Sequence, residues 1–146
     1  MLDARYDEFE GIDDVTGENT DRAGQRFLLT PEVQSHVAIQ YALPVSFEGP
    51  EWLQGWLTPR VDWAYQGNVL YLGPEIPQGT QPGFHLIHLR LGYDFLDDRA
   101  QVALWTRNLL DEAYFDYAFS SSSSFGIGNR WFQIGRTYGA ELSYRL

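Results

Sequence analysis

From Thr137 to Leu146 every second residue is apolar or aromatic: Tyr138, Ala140, Leu142, Tyr144 and Leu146, separated by Thr137, Gly139, Glu141, Ser143 and Arg145. Successive side chains of an extended chain point to opposite sides, so this spacing predicts a strand with one greasy face and one wet face. The same period organises Phe84 to Phe95, where Ile87, Leu89, Leu91, Tyr93 and Phe95 oppose His88, Arg90, Gly92 and Asp94. It returns in Leu57 to Tyr71, with Leu57, Val61, Trp63, Tyr65 and Tyr71 opposite Thr58, Arg60, Asp62, Gln66 and Asn68, and in Val33 to Leu43. Arg99 to Leu110 follows it less cleanly, because Trp105 falls among the polar positions, and Leu2 to Phe9 is a short sixth case. The expected fold class is all-β, an antiparallel up-and-down meander of about six strands.

The connections sharpen this. Phe95 to Arg99 is a tight turn and Ser46 to Gly55 a moderate one, whereas Glu10 to Glu32, Leu72 to Gly83 and Asp111 to Arg136 are long. In a meander, successive connections leave opposite ends of the sheet, so here one end carries the short turns and the other the long loops. Outer-membrane barrels have that asymmetry, whereas a compact soluble domain rarely holds structureless loops of such length. Tyr41, Tyr93, Phe95 and Tyr144 fall near the short-turn end of the greasy faces, and Tyr65, Tyr71 and Tyr138 toward the other end. Two aromatic girdles at two interfaces would be placed this way.

Composition excludes several classes. Twenty acidic against ten basic residues give a net charge of -10, and all the basic residues are arginine. Nucleic acid is therefore not an expected partner, since phosphate binding needs clustered cations. No cysteine is present to form a disulfide framework or thiolate metal site. No run of about 18 apolar residues predicts a transmembrane helix, and MLDARYDEFEG has no charged and apolar leader of the secretory kind.

Two elements carry a resemblance. Asn108-Leu109-Leu110-Asp111-Glu112-Ala113-Tyr114 resembles the Asn-Leu-x-Asp-x-x-Tyr element at the top of the penultimate strand of TonB-dependent receptors. Gly135-Arg136-Thr137-Tyr138-Gly139 followed by Ala-Glu-Leu-Ser-Tyr-Arg-Leu is similar to the terminal strand of that family. Thr137, Gly139, Leu142 and Tyr144 match the polar-x-Gly-x-x-hydrophobic-x-aromatic signal read by the barrel assembly machinery, although the last residue, Leu146, stands where the family usually ends on an aromatic. The Leu-Thr-Pro-Glu step before the Val33 strand is a looser likeness.

The resemblance implies that residues 1–146 are the C-terminal strands of a transmembrane β-barrel domain, without the plug or TonB box. Such a barrel has about 22 strands around a plugged lumen, so this stretch is expected to be a fragment or part of a split protein. The implied setting is the bacterial outer membrane. The implied function is energised uptake of a scarce large ligand such as a ferric siderophore, cobalamin or an oligosaccharide. The implied partners are outer-membrane lipid, the rest of the barrel and its plug, TonB through that plug, and the barrel assembly machinery.

Other residues have a functional and a plain reading. Tyr114, Tyr117, Arg130 and Trp131 in the longest connection could contact a ring-bearing anionic ligand, or could pack the loop on itself, which is the commoner case. Ser120 to Ser124 reads as a polar tip without a base to activate a serine. The acidic stretch Asp7 to Asp21 lacks the spacing of a calcium loop and reads as solvated charge. His36 and His88 fall on wet faces, where hydrogen bonding outranks metal ligation. No catalytic constellation, cofactor or metal site is expected, and the chain is not expected to be an enzyme. The competing reading is a free-standing acidic β-sandwich or small barrel that binds a sugar or other small molecule, in which the greasy faces are buried against each other.

Overall fold

The computed structural model describes every residue except 1, 14, 47, 74, 75 and 122–126. Its elements are β1 (Glu10–Ile12), β2 (Asn19–Asp21), β3 (Gln34–Gln40), β4 (Leu43–Val45), β5 (Gly55–Gln66), β6 (Val69–Leu70), β7 (Thr80–Gln81), β8 (Phe84–Phe95), β9 (Ala100–Arg107), β10 (Phe115–Ser121), β11 (Ile127–Phe132) and β12 (Thr137–Tyr144). Two single 3₁₀ turns, Glu51–Leu53 and Pro77–Gly79, interrupt the strands, and no α-helix occurs among the described residues. The chain divides into two compact units.

One unit comprises His36–Ala64, His85–Glu112 and Ile134–Leu146 and holds the main sheet, ordered β12-β9-β8-β5-β3. The short β4 also pairs β5, continuing the line of β3, so six strands make a sheet five strands wide. Leu43 opposite Leu57, Leu91 opposite Leu104 and Ala140 opposite Leu104 fix an antiparallel register in which apolar residues fall in rows. Phe95, Ala100 and Tyr144 form one row, Tyr93, Val102 and Leu142 the next, and Leu89, Thr106 and Tyr138 another. A slip of one residue would move each set to the wrong face, so the alternation itself specifies this register.

The tight turn Leu96 to Arg99 has Leu96, Asp97 and Asp98 all at positive φ, a conformation that non-glycine residues adopt at a cost. It is anchored by the amide of Leu96 donating to the carbonyl of Trp52, and by the Tyr93 hydroxyl donating to the carbonyl of Leu53.

The other unit comprises Met1–Ser35, Tyr65–Phe84 and Ala113–Gln133. It contains three small ladders, β1 with β2, β6 with β7, and β10 with β11. Its interior is aromatic. Phe84 stacks on Tyr114 with centroids 4.5 Å apart, while Tyr71 and Phe132 flank Phe115 at 5.4 and 5.8 Å. Phe84, Phe115, Ala118 and Val69 are buried. Gln81 is buried with them, and its side-chain oxygen accepts the Phe115 amide at 2.9 Å, so the polar group is satisfied.

The all-β meander expected from the alternation is present, with three corrections. Leu2 to Phe9 is not a strand: only Arg5 forms a bridge, to Arg26, and Tyr6 and Phe9 stack on each other at 4.7 Å as part of a loop cluster with Phe27. The segment runs beside residues 22–32, with Leu2 and Tyr6 amides donating to the Glu32 and Gln25 carbonyls and the Phe27 amide to the Ala4 carbonyl, but these bonds do not repeat as a ladder. Tyr71 lies beyond the strand, which ends at Gln66, and it packs on Phe115 instead of joining a girdle. The connection Asp111 to Arg136 is not featureless, since it folds into the β10–β11 hairpin. Ser122 to Ser124 of the serine tip and Asp14 of the acidic stretch lie outside the described residues.

Candidate functional site: a two-faced sheet and its closing strand

The main sheet has one face of each kind. Tyr138, Leu142 and Tyr144 of β12 stand on the apolar face with Val102 and Leu104 of β9, Leu91 of β8, Val61 of β5 and Val37, Ile39 and Tyr41 at β3, and all are exposed. Leu104 is 57% exposed and Leu142 is 75% exposed. An exposed apolar face of this kind marks a protein–protein or membrane interaction surface.

The opposite face is a hydrogen-bonded lattice. Arg90 donates to Glu141 and to Gln101, each at 3.0 Å, and Gln101 donates to Asp94 at 2.6 Å. On β5 the Arg60 guanidinium grips Asp62 with two bonds, at 2.7 and 2.6 Å, and reaches Gln40 of β3 at 3.4 Å. His36 sits 3.7 Å from Asp62. The Arg60–Asp62 pair was legible from spacing. The partners of Arg90 and Glu141 were not, since sequence proximity favours Asp94 and Arg145 whereas the β9 register carries Arg90 across to β12.

The composition of β12 follows from its neighbours. Thr137 and Gly139 lie on the polar face, and Leu142 and Tyr144 on the apolar one. Gly139 is opposite Trp105, and a Cβ built on it would lie 2.6 Å from the indole ring. The indole therefore occupies the space that glycine leaves, and the Arg107 guanidinium covers its ring at 5.4 Å. Trp105 breaks the apolar alternation because it fills a gap on the wet face, a pairing that appears only when β9 and β12 are in register. Tyr144 receives Arg99, whose guanidinium donates to the hydroxyl at 3.1 Å and lies 5.7 Å from the ring centre.

At the other end of β9 the Asn108 to Glu112 segment is a clasp. Asn108 has φ 51° and is buried, and its side chain both accepts from the Glu112 amide and donates to the Glu112 carbonyl, each at 2.9 Å. The Asn108 amide donates to His88 Nδ1 at 3.0 Å. Asp111, at φ 57°, accepts the Arg136 amide at 2.8 Å, one residue before β12. Asparagine tolerates the left-handed region and offers both a donor and an acceptor, which no other residue of its size combines. Asn108→Ala should cost about 1–2 kcal/mol, because it leaves two part-buried backbone groups of Glu112 without their partner. Asn108→Asp should cost less, and the check is the urea midpoint of the two variants.

The loop residues singled out from sequence do not converge. Tyr117 and Trp131 face each other across the hairpin at 5.1 Å and are half-exposed. Arg130, paired with Ala118, lies between Phe115 and Phe132 at 5.5 and 5.4 Å from their centres. Tyr114 is separate, stacked on Phe84. Burial, and then the Asp116 carboxylate, push the phenols of Tyr71 and Tyr114 above the usual tyrosine range. A cleft of about 310 Å³ opens beside the same hairpin, between Leu72, Gln78, Phe119 and Arg130.

In the acidic stretch, Asp13 accepts the amides of Thr16 and Val15 at 2.7 and 2.8 Å, and these bonds hold its carboxyl below the usual range. A lowered carboxyl stabilises the fold above its unfolded-state pKa and loses that contribution as pH falls through the folded one. The β1–β2 turn should therefore stay closed at a pH where ordinary aspartates protonate, and Asp13→Asn should remove the acid sensitivity of its amide exchange. Buried Arg22 fills the turn, donating to the Ile12 carbonyl at 2.8 Å.

No protein-family profile matches this sequence, and no curated protein matches it. A solved structure does. The chain is similar to the ferric yersiniabactin uptake receptor FyuA from Yersinia pestis, with a TM-score of 0.69 and 21% sequence identity over 87% of this chain. The match spans 19% of that receptor. The fold of this chain is thus all-β and antiparallel, like a segment of that receptor's β-barrel, with its sheet not closed.

Proposed function

We propose that residues 1–146 form part of the β-barrel wall of an outer-membrane TonB-dependent receptor, made of its closing strands and without its plug. The observation that carries this reading is the sheet with an exposed apolar face from Val37 to Tyr144 and a hydrogen-bonded polar face behind it. In a barrel the first meets lipid and the second faces the lumen. The likeness to a siderophore uptake receptor supports the same assignment. The protein takes up a scarce large ligand of the ferric siderophore, cobalamin or oligosaccharide kind. It does so together with the rest of its barrel, a plug and TonB, after the barrel assembly machinery has read Thr137, Gly139, Leu142 and Tyr144. Tyr117 and Trp131, each about half exposed, are the loop residues that touch that ligand.

A soluble sandwich would bury the faces that are exposed here, which disfavours the alternative. The decisive substitution is Leu142→Arg, with Leu104→Arg as its companion. Arginine on a lipid-facing strand costs about 2–4 kcal/mol at the bilayer midplane and nothing comparable on a wet surface. Both variants should lower the membrane-inserted fraction about tenfold or more, whereas Ser143→Arg on the polar face should not. Soluble, monodisperse protein in plain buffer, indifferent to Leu142→Arg, would overturn the proposal.

A further inference from the structure

One bond beside β8 differs in kind from the rest of the polar lattice. The Asn108 amide donates to His88 Nδ1 at 3.0 Å. A backbone amide can only donate, so this ring nitrogen is the acceptor and the imidazole is the neutral tautomer with its proton on Nε2. An imidazolium carries N–H on both nitrogens and has no lone pair to offer. The bond therefore exists in only one of the two charge states of His88. What depends on it is the base of the 108–136 connection. Asn108 is buried at φ 51°, and its side chain holds both the amide and the carbonyl of Glu112. Asp111, in the same turn, accepts the Arg136 amide from the far end of the connection. His88 itself is only half-buried, so a proton from solvent can reach the ring.

We propose that His88 is a proton-operated catch on the base of this connection: it holds the Asn108 amide while neutral and releases it when a proton takes the Nδ1 lone pair. The proton comes from water and stays on Nδ1. The amide is left without its acceptor, so the first residue of the turn loosens, and the bonds to Glu112 and Arg136 that the turn supports loosen with it. Charged groups face the ring from each neighbouring strand. Asp62 of β5 lies within electrostatic reach of His88 and of His36 from β3, and Arg60 is bonded to it. Arg107 of β9 stands one step beyond the Leu89–Thr106 pair, with its guanidinium over Trp105. Arg90, two residues along β8, is engaged by Glu141 and Gln101, and Glu112 belongs to the turn itself. Of these groups Asp62 is the anion that meets the imidazolium. The catch stands apart from the membrane reading. Only its bearing on ligand contact, through the hairpin of Tyr117 and Trp131 that the connection carries, rests on that reading.

The test follows amide hydrogen exchange by mass spectrometry in the intact protein, in the cell fraction that holds it, over the ordinary histidine range of about pH 8 to about pH 5. Protection is expressed relative to the intrinsic rate at each pH, which removes the chemical pH dependence of exchange. The segment Asn108 to Glu112 should lose about tenfold in protection on acidification, the equivalent of one hydrogen bond. The β9 segment Ala100 to Ala103, with ladder partners on both sides, should not change. His88→Gln does not titrate, and its protection should be flat over the same range. An equal loss in His88→Gln, or no loss in the unsubstituted protein, would overturn the proposal. If His88→Gln fails to fold, NMR of the unsubstituted protein labelled in its histidine ring nitrogens decides alone, with His36 and His85 assigned by single substitution. Nδ1 of His88 should be unprotonated at about pH 8 and gain its proton over the interval in which protection falls. A proton already on Nδ1 at the start, or a proton gained without loss of protection, would sink the catch. The outcome is separable from the lipid test. A titrating catch in a protein indifferent to Leu142→Arg would keep the catch and lose the membrane reading, and a damaging Leu142→Arg with constant protection would do the reverse.

Discussion

Gly55→Ala is expected to prevent the main sheet from forming. A Cβ at residue 55 would lie 1.8 Å from the carbonyl oxygen of Asp94 and 3.2 Å from the Cα of Phe95. Both obstacles are main chain, so no rotamer change relieves them, and β5 and β8 must part where the connection into β5 meets the tight turn after β8. The cost should exceed the roughly 3 kcal/mol upper range of ordinary overpacking. The measurement is the yield of protease-resistant protein in the membrane fraction, which should fall to background. Neighbouring Trp56→Ala removes a large, exposed side chain without touching this contact and should leave most of the yield intact.

Gly139→Val should lower the assembled fraction nearly as far, for a reason that a second substitution can isolate. The added side chain meets the Trp105 indole, which is movable, and the cost is about 3 kcal/mol. If the glycine matters because Trp105 needs its space, Trp105→Ala should restore most of the assembly lost to Gly139→Val. If the assembly machinery reads the glycine directly, the double variant should remain as poor as the single one. A third result, in which Gly139→Val assembles normally, would remove the steric account altogether.

Strands β5, β8 and β12 of the main sheet were legible in the sequence because alternation runs along them, and a face of five apolar residues dominates local propensity, whereas β9 was fainter because Trp105 interrupts its period. Leu2 to Phe9 shows where that signal ends: it has the right period, but its backbone bonds to residues 22–32 are too irregular to make a strand. The strand read over Arg99 to Leu110 stops earlier, at Arg107, because Asn108 turns the chain, and the reason for its motif was not legible. The clasp depends on Glu112 amide and carbonyl groups, and backbone atoms leave no trace in residue types. The loop hairpin was hidden for a different reason. Its bulge between Phe115 and Tyr117 breaks the period that would have announced it. The grouping of Tyr114, Tyr117, Arg130 and Trp131 followed from their lying in one connection; the hairpin brings Tyr117 and Trp131 together, while Arg130 lies between Phe115 and Phe132 and Tyr114 stacks on Phe84.

The Asp111–Arg136 bond has a kinetic meaning. β8 and β9 are joined by Leu96 to Arg99 and can zip from the turn, whereas β12 reaches β9 only after the chain from Asn108 to Arg136 has closed. That connection is longer by about three doublings, which adds roughly 2 kcal/mol of closure entropy. β12 is therefore the strand that docks last and departs first. The clasp at Asp111 sets the moment of docking, because it fixes the residue before Thr137 and leaves only local zipping to complete. A strand that stays available late in folding is also the one that a helper protein has time to inspect.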